Sequence, residues 1–479
     1  MTLHLYDSAT RQVREFVPVK ENEVSIYVCG ATVQGSPHIG HVRSSLVFDV
    51  LRRWLLRKKY KVILVRNVTD IDDKILNKSA EAGEKWWAWA LKFEREFTDA
   101  YNALGVIPPT YEPRATGHVP EMIELIDLLI KRGHAYSTGD GNVYFDVKSL
   151  PDYGSLTHQN IDDLATTEDD GQIDVLVESG KKDPRDFALW KAVKSTEDPS
   201  ASWQTPWGRG RPGWHLECSV MSKKYLGEHF DIHGGGIDLR FPHHENEQAQ
   251  SHGAGWAFVN FWVHNAWVTI KGEKMSKSLG NSLVVGELLK ETSAPVLRLA
   301  LGTTHYRSTV EFSEQSLADA KITWEKFVAF VQKATGVAGD VADIDIEPEG
   351  LPDAFVQAMD DDLNLASAMA VIHEWVKRGN KAIADCNVDL VRECLTMVRS
   401  MLDILGLDPF SSVWVKYADS AQGDNKYAQA LDVLVKHVLS DRQIARADKN
   451  WVKADALRDL LADAGIIVED GASGASWHM

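Results

Sequence analysis

Apolar residues fall into two rhythms along the chain, and the change between them marks the first elements. Val24–Val28 is a short apolar run rich in β-branched residues, which predicts a buried strand. Leu46, Val50 and Trp54 then recur every fourth residue, with Val47, Leu51 and Leu55 beside them, the stripe of an amphipathic helix. Lys61–Arg66 is a second apolar strand, and Gly30, Gly35, Ser36, Pro37 and Gly40 lie between the first strand and the helix. Strand, glycine-rich turn, helix and strand make a βαβ unit. Its helix N-terminus presents free N–H groups and a positive dipole end, a seat for phosphate.

The same patterns continue with less regularity. Pro108-Pro109 and Glu112-Pro113 punctuate the chain, and residues 114–205 read as an insertion. Within it Val119–Lys131 has helical spacing, Asn142–Val147 reads as a strand, and 160–200 is acidic and loop-rich. Phe230–His233 is a short strand leading into Gly234-Gly-Gly, and Phe241–Glu247 opens a helix. Residues 261–273 alternate; helices follow, broken at Ser293–Pro295 and Thr303–Thr309, then one long helix over Ser313–Thr335. Two stretches poor in periodicity, 336–352 and 410–426, read as linkers around helical Ala354–Leu407 and Tyr427–Ala464, and the chain ends in a short strand and tail. The expected architecture is α/β: a Rossmann-type parallel sheet over 1–113 and 206–270, split by the insertion. A lysine-bearing loop with helices follows over 271–335, a helical bundle over 336–410 and a small C-terminal domain over 411–479.

Length and charge narrow the classes. The 479 residues allow two to four domains. A net charge of −17 argues against a purely electrostatic nucleic-acid binder, though not against local basic patches. Arg52, Arg53, Arg57, Lys58, Lys59 and Lys61 form one candidate, with a solvated helix face as the other reading. The N-terminus lacks a basic region followed by an apolar core, and no apolar run reaches membrane-spanning length. The expectation is a cytoplasmic protein without membrane partners, its cysteines reduced and available to metal. Cys386 and Cys394 sit in helical sequence and read as packing residues, and Trp86, Trp87 and Trp89 read as core.

Several side chains carry chemistry. His38 and His41, three apart in the first helical turn, share a face and can bond one anion, while Gly40 leaves bare backbone for a flat base. Thr69 and Asp70 follow the second strand, where open α/β sheets bind ligands, and suit an amine or hydroxyl; an N-cap with acidic first-turn residues is compatible with the same positions. The triple glycine admits close backbone approach, and Asp238 is placed to accept from a ribose hydroxyl. Cys29, Cys218, His243 and Glu247 offer two thiolates, an imidazole and a carboxylate, a donor set suited to tetrahedral zinc. His233, His244 and Glu245 compete as ligands on the residues alone. Far downstream stands Lys274-Met-Ser-Lys277-Ser278, then Leu279-Gly280-Asn281.

His38-Ile-Gly-His41 together with Lys274-Met-Ser-Lys-Ser278 resembles the class I aminoacyl-tRNA synthetases, and Cys29 with its partners narrows the resemblance to the cysteinyl-tRNA synthetase family. The likeness spans essentially the whole chain. It implies that cysteine and ATP form cysteinyl-adenylate, that cysteine then passes to the 3′ end of tRNA(Cys), and that Mg²⁺ accompanies ATP. It selects Cys29, Cys218, His243 and Glu247 as ligands of one Zn²⁺ that selects the substrate thiol, which the cysteine thiolate binds directly. Serine differs from cysteine by one atom, and apolar pockets separate such pairs poorly. His38 and His41 would hold the phosphates; Lys274 and Lys277 would neutralise the pyrophosphate, Lys277 as the direct ATP contact, with Gly272 and Gly280 allowing the loop to close. Gly40, Gly236 and Asp238 complete the implied ATP site. Cys29, Gly30, Thr32, Thr69, Trp214 and His233 form the implied cysteine pocket. The helices after residue 310 would contact the tRNA stem, residues 336–410 would bind the anticodon, and the C-terminal domain would bind tRNA. There Arg442, Arg446, Lys449, Lys453 and Arg458 would meet phosphates and Trp477 is a candidate for base stacking. A monomer is expected.

The sequence departs from the family at Ala31-Thr-Val-Gln34-Gly35, where Pro-Thr-Val-Tyr-Asp is common, so no role is carried over to a tyrosine or aspartate there. One rival is the related ligase that joins cysteine to glucosaminyl-inositol, which lacks a full anticodon-binding C-terminus. The other is a non-catalytic zinc-dependent RNA-binding protein, against which His38, His41, Lys274 and Lys277 all stand intact.

Overall fold

The computed structural model describes residues 2–159, 180–270, 273–274, 283–341, 343–414, 423–471 and 474–478. They form two compact units, 1–411 and 412–479.

The first unit opens with a hairpin, β1 (His4–Asp7) and β2 (Gln12–Glu15). The βαβ unit follows as β3 (Glu23–Val28), α1 (Ile39–Arg57) and β4 (Lys61–Arg66), then α2 (Asp73–Glu81) and α3 (Trp86–Ala103). The insertion holds α4 (Val119–Arg132), β5 (Ala135–Ser137), β6 (Val143–Phe145), β7 (Phe187–Ala192), β8 (Trp203–Thr205) and β9 (Gly208–Pro212). Its strands form one sheet in the order β5-β6-β7-β9-β8. The loop reading of 160–200 misses β7, whose Phe187, Leu189 and Trp190 are buried in that sheet, and the sheet continues past residue 205 to Pro212.

The chain returns to the central sheet through α5 (Trp214–Leu226), β10 (His229–Gly236), α6 (Glu245–Gly253) and β11 (Phe258–Asn265). Strand order is β11-β10-β3-β4, all parallel. From β3 the chain crosses outward to β4, and from β10 it crosses the other way to β11. The carboxyl ends of β3 and β10 therefore part at a topological switch point, where such sheets hold ligands. A Cβ on Gly234 would lie 2.0 Å from the Phe48 ring, so the first of the three glycines lets α1 pack on β10 rather than admitting a ligand. All six residues of the predicted α1 stripe are buried, and Val42 and Phe48 with them, because α1 lies between the sheet and helices that come later in the chain.

Those later elements begin with β12 (Val268–Ile270), β13 (Glu273–Lys274), α7 (Val285–Glu291), α8 (Ala294–Gly302), β14 (Val310–Glu311) and α9 (Glu314–Ala338). The helical region is α10 (Asp353–Asp360), α11 (Leu365–Ala384) and α12 (Val388–Ile404). The stretch read as a linker is fastened at its middle: Arg57 donates to the carbonyls of Ile344 at 2.7 Å and Ile346 at 3.1 Å.

The second unit comprises α13 (Gly423–Ala447), α14 (Trp451–Asp463) and a hairpin of β15 (Ile467–Gly471) with β16 (Gly474–His478). Val435, Leu439, Leu461 and Ile466 form its small core. The expected tail is thus a second strand. Among the described residues, no helix is long and apolar enough to cross a membrane.

Candidate active site and metal centre

A cavity of about 340 Å³ opens at the switch point. Cys29, Gly30, Thr32, His38, Gly40, His41, Trp214, Gly236 and Asp238, all singled out from the sequence, line it. Each arrives from a strand end or a helix start: Cys29 directly after β3, His38 capping α1, Trp214 opening α5 and Gly236 closing β10.

At one end the four predicted ligands converge. The Sγ atoms of Cys29 and Cys218 are 3.5 Å apart, Cys29 Sγ is 3.3 Å from Glu247 Oε1, and His243 Nε2 is 3.0 Å from the same oxygen. One donor atom from each of the four lies within 4.8 Å of the others. Two zinc–sulfur bonds of about 2.3 Å at a tetrahedral angle would put their sulfurs about 3.8 Å apart, so the donor set and its spacing fit zinc. A disulfide would need about 2.05 Å, and both thiols are free.

The electrostatics suit a cation. Burial alone would raise Cys218, but the Cys29 thiol and His243 hold it down to about 6. Burial would lower His243, but Glu247 and Cys218 lift it to about 10. Burial would raise Glu247, yet His233 and His243 keep it well below the usual carboxylate range. Burial, with Cys218 alongside, pushes the Cys29 thiol up.

The competing ligands separate. Glu245 accepts from the Gly154 and Thr157 N–H groups, both at 2.9 Å, and is spent on the insertion. His233 and His244 remain close enough to make a second group of four with Cys29 and Glu247. His233 Nε2 sits 2.7 Å from Glu247 Oε2 and the ring is fully buried. It stands behind the carboxylate rather than on the cavity wall. Thr69 also lies behind the cavity lining: its hydroxyl donates to the buried Glu217 at 2.7 Å, with 1% of the residue exposed. Asp70 accepts from the Thr116 N–H at 2.9 Å and from its hydroxyl. His215, passed over in the sequence, lies with its Nδ1 3.0 Å from His243 Nδ1. Its neighbours Trp214 and Cys218 were the only signal for it.

At the α1 end of the cavity His38 caps the helix, and its N–H donates to His41 Nδ1 at 3.2 Å. The rings stack with centroids 3.6 Å apart, which fixes both on one face as the spacing predicted. Leu283 accepts from the Ile39 N–H at 3.1 Å, and Val285 donates to the Pro37 carbonyl at 2.9 Å. The chain just after the lysine motif is therefore tied to the histidine turn. Lys274 closes β13, paired with Thr269 of β12. Lys277, Gly272 and Gly280 lie outside the described residues.

At the departing segment, Gln34 accepts from Lys78 Nζ at 2.7 Å, and its carbonyl accepts from Trp89 Nε1 at 3.2 Å. Several surface expectations change. Trp87 is 56% exposed rather than core. Cys386 is exposed while Cys394 is buried. Arg442 is buried, which removes it from the phosphate candidates; Arg446, Lys449, Lys453 and Arg458 are exposed. The side chain of Trp477 lies outside the described residues.

Residues 15–322 match the class I (C) tRNA synthetase catalytic domain, residues 354–410 the DALR domain, and residues 428–477 the cysteinyl-tRNA ligase anticodon binding domain. A cysteine–tRNA ligase of Beutenbergia cavernae is 58% identical, the alignment covering 100% of this chain and 99% of that one. That of Streptomyces coelicolor is 54% identical, covering 100% and 76%. Among solved structures, Mycobacterium tuberculosis methionyl-tRNA synthetase bound by methionyl-adenylate shares the fold, with a TM-score of 0.60 at 14% identity over 85% of this chain and 96% of that one.

Proposed function

The chain belongs to the class I cysteine–tRNA ligase family, and from that premise we propose that it activates L-cysteine with ATP and transfers it to tRNA(Cys) at the switch-point cavity. The observation that carries this reading is one cavity holding a two-sulfur metal group at one end and a paired-histidine helix N-terminus at the other.

Cys29, Cys218, His243 and Glu247 would hold the zinc. Bound there, zinc supplies a soft Lewis acid that favours a thiolate over a hydroxyl. Trp214 and Thr32 bound the cysteine on the cavity side of that group. The substrate carboxylate attacks the α-phosphorus in line, which asks for positioning and charge stabilisation rather than a protein nucleophile. His38 and His41 hold the phosphates at the dipole end of α1. Lys274 and Lys277 neutralise the leaving pyrophosphate, and Mg²⁺ enters with ATP. Residues 354–410 and 428–477 bind the tRNA.

The alternative transfer, of cysteine to glucosaminyl-inositol, is disfavoured by the anticodon-binding match at 428–477. Cysteine-dependent ATP–pyrophosphate exchange followed by transfer of labelled cysteine tests both. Charging of tRNA(Cys) supports the ligase; exchange with transfer only to glucosaminyl-inositol overturns the tRNA assignment, and absence of exchange overturns the reaction.

A further inference from the structure

Tyr27 lies on β3 two residues before Cys29, so both side chains leave one face of the sheet. It shares a buried core cluster with Leu216 and Cys218 of α5. On the neighbouring strand it pairs in register with His233, whose Nε2 bonds Glu247, and the two ring centroids lie 5.2 Å apart. Packing thus fixes the ring, and only the hydroxyl hydrogen is free to turn.

The hydroxyl is the unusual part. Tyr27 has 0% of its surface exposed, and its oxygen completes no hydrogen bond among the described residues. A phenylalanine would fill the same space more cheaply, since a buried hydroxyl left unpaired disfavours the fold. What surrounds the oxygen is the ligand set. Cys218 is within reach of it, and Cys29 and Glu247 are near enough to act on it through their charge. Of the two cysteines, Cys29 lines the cavity while Cys218 is 1% exposed. The hydroxyl therefore faces the sulfur that does not line the cavity, where a donor leaves the way in for substrate open.

Resting on the reading of Cys29, Cys218, His243 and Glu247 as a zinc site, we infer that Tyr27 is a positioning residue of that site, its hydroxyl donating to the Cys218 sulfur once that sulfur ligates the metal. A ligating thiolate is a charged acceptor, and hydrogen bonds to charged groups are the stronger kind. The bond holds the Cys218 side chain in its ligating orientation, as outer partners of metal ligands do. It also draws charge from the sulfur. Less is then passed to the cation, which keeps more of its Lewis acidity for the substrate thiol.

The test uses Tyr27→Phe in the full-length protein, which removes the hydroxyl and keeps the ring. Retention of zinc against a chromophoric chelator should weaken by about tenfold, the low end for an outer partner of a metal ligand. In pyrophosphate exchange KM for cysteine should rise, with KM for ATP unmoved. The signature that packing alone would not move is spectroscopic. With Co²⁺ in place of zinc, loss of the bond raises the energy of the sulfur lone pairs. The sulfur-to-cobalt charge-transfer band should therefore shift to lower energy, while the visible bands keep their tetrahedral form. Without metal the variant should melt no lower than the parent, because it has lost an unpaired group; with zinc it should melt lower. An unmoved charge-transfer band overturns the inference, as does unchanged zinc retention. A variant that melts lower without metal, its band unmoved, reduces Tyr27 to a packing residue and overturns it too. Failure of the unaltered protein to bind zinc or Co²⁺ would overturn the metal site itself, a different failure.

Discussion

The Sγ atoms of Cys29 and Cys218 lie 3.5 Å apart although the residues are 189 positions apart in the chain. Cys29 ends the first strand, and Cys218 rides on the helix that re-enters the sheet after the insertion. The metal group thus exists only when both halves of the central domain are assembled. Cys218→Ala should lower zinc affinity at least tenfold, read by competition with a chromophoric chelator. Retention of one zinc per chain under the same competition would remove Cys218 from the ligand set.

His38 and His41 stand at the start of α1, outside the four-residue ligand set, and the lysines of residues 274–278 come from another part of the chain. His41→Ala should therefore slow pyrophosphate exchange by about 10²–10³-fold, the usual worth of a preorganised donor at developing charge, with zinc content unchanged. Lys277→Ala should behave in the same way. Zinc loss in either variant, measured by elemental analysis, would mean that the two ends of the cavity are not separate in function.

How far these residues were legible before the fold was known depended on how local their signal was. The histidines announced themselves by a spacing of three within one helix. The metal ligands lie on three separate segments, and only the family likeness chose among His233, His243, His244 and Glu245. The basic run from Arg52 to Lys61 is solvated at Lys59 and Lys61, but Arg57 and Lys58 fit neither of its two readings. Arg57 bonds Asp403 at 2.8 Å and two carbonyls of the 343–352 stretch, and Lys58 bonds Asp360 at 2.8 Å. Much of the run is neither a phosphate patch nor a solvated face, but a clamp on helices roughly 300 residues downstream, and nothing in a local charge pattern encodes such partners. The same holds for β7, whose strand pairs lie on both sides of it in space but far off in sequence.

That clamp is testable. Asp360 accepts from Trp54 Nε1 at 2.9 Å and from Lys58, and is 4% exposed. Asp360→Ala leaves a buried indole N–H and an ammonium without their acceptor. It should cost about 3 kcal/mol and lower the urea midpoint of the first unit. KM for cysteine should not move, because Asp360 touches no residue of the cavity wall. A shift in that KM without a shift in the midpoint would contradict the clamp.

Asp49 gives a pH signature. Burial would raise its pKa, but Arg53 at 2.8 Å and Arg298 at 2.5 Å outweigh it and hold the carboxylate below its ordinary value. A depressed folded-state pKa contributes stability above the unfolded value of about 3.9, and that stability is lost as pH falls through the folded value. Asp49→Asn should therefore destabilise the protein by about 3–5 kcal/mol at neutral pH, leaving Arg298 buried without its anion. The gap in melting temperature between the variant and the parent should hold above roughly pH 5 and narrow below roughly pH 4. A gap that widens on acidification would show that the arginines do not govern this carboxylate.

The second unit carries its candidate tRNA contacts as exposed cations spread over two helices and the turn between them. Arg446 lies in α13, Lys449 in the turn and Lys453 and Arg458 in α14, on a chain whose net charge is −17. Contacts of this kind neutralise phosphates one at a time, so each should contribute to affinity and to its salt dependence alike. Replacing Lys449, Lys453 and Arg458 together by alanine should weaken tRNA(Cys) binding. If all three meet phosphates, the slope of log affinity against log salt should flatten by about two to three, judging by the roughly 0.7–0.9 per contact of single- and double-stranded nucleic acids. Pyrophosphate exchange without tRNA should be unchanged, since the activation site proposed above lies in the first unit. An unchanged salt slope, measured by filter binding between low and moderate salt, would move the tRNA-binding surface to another face of this unit.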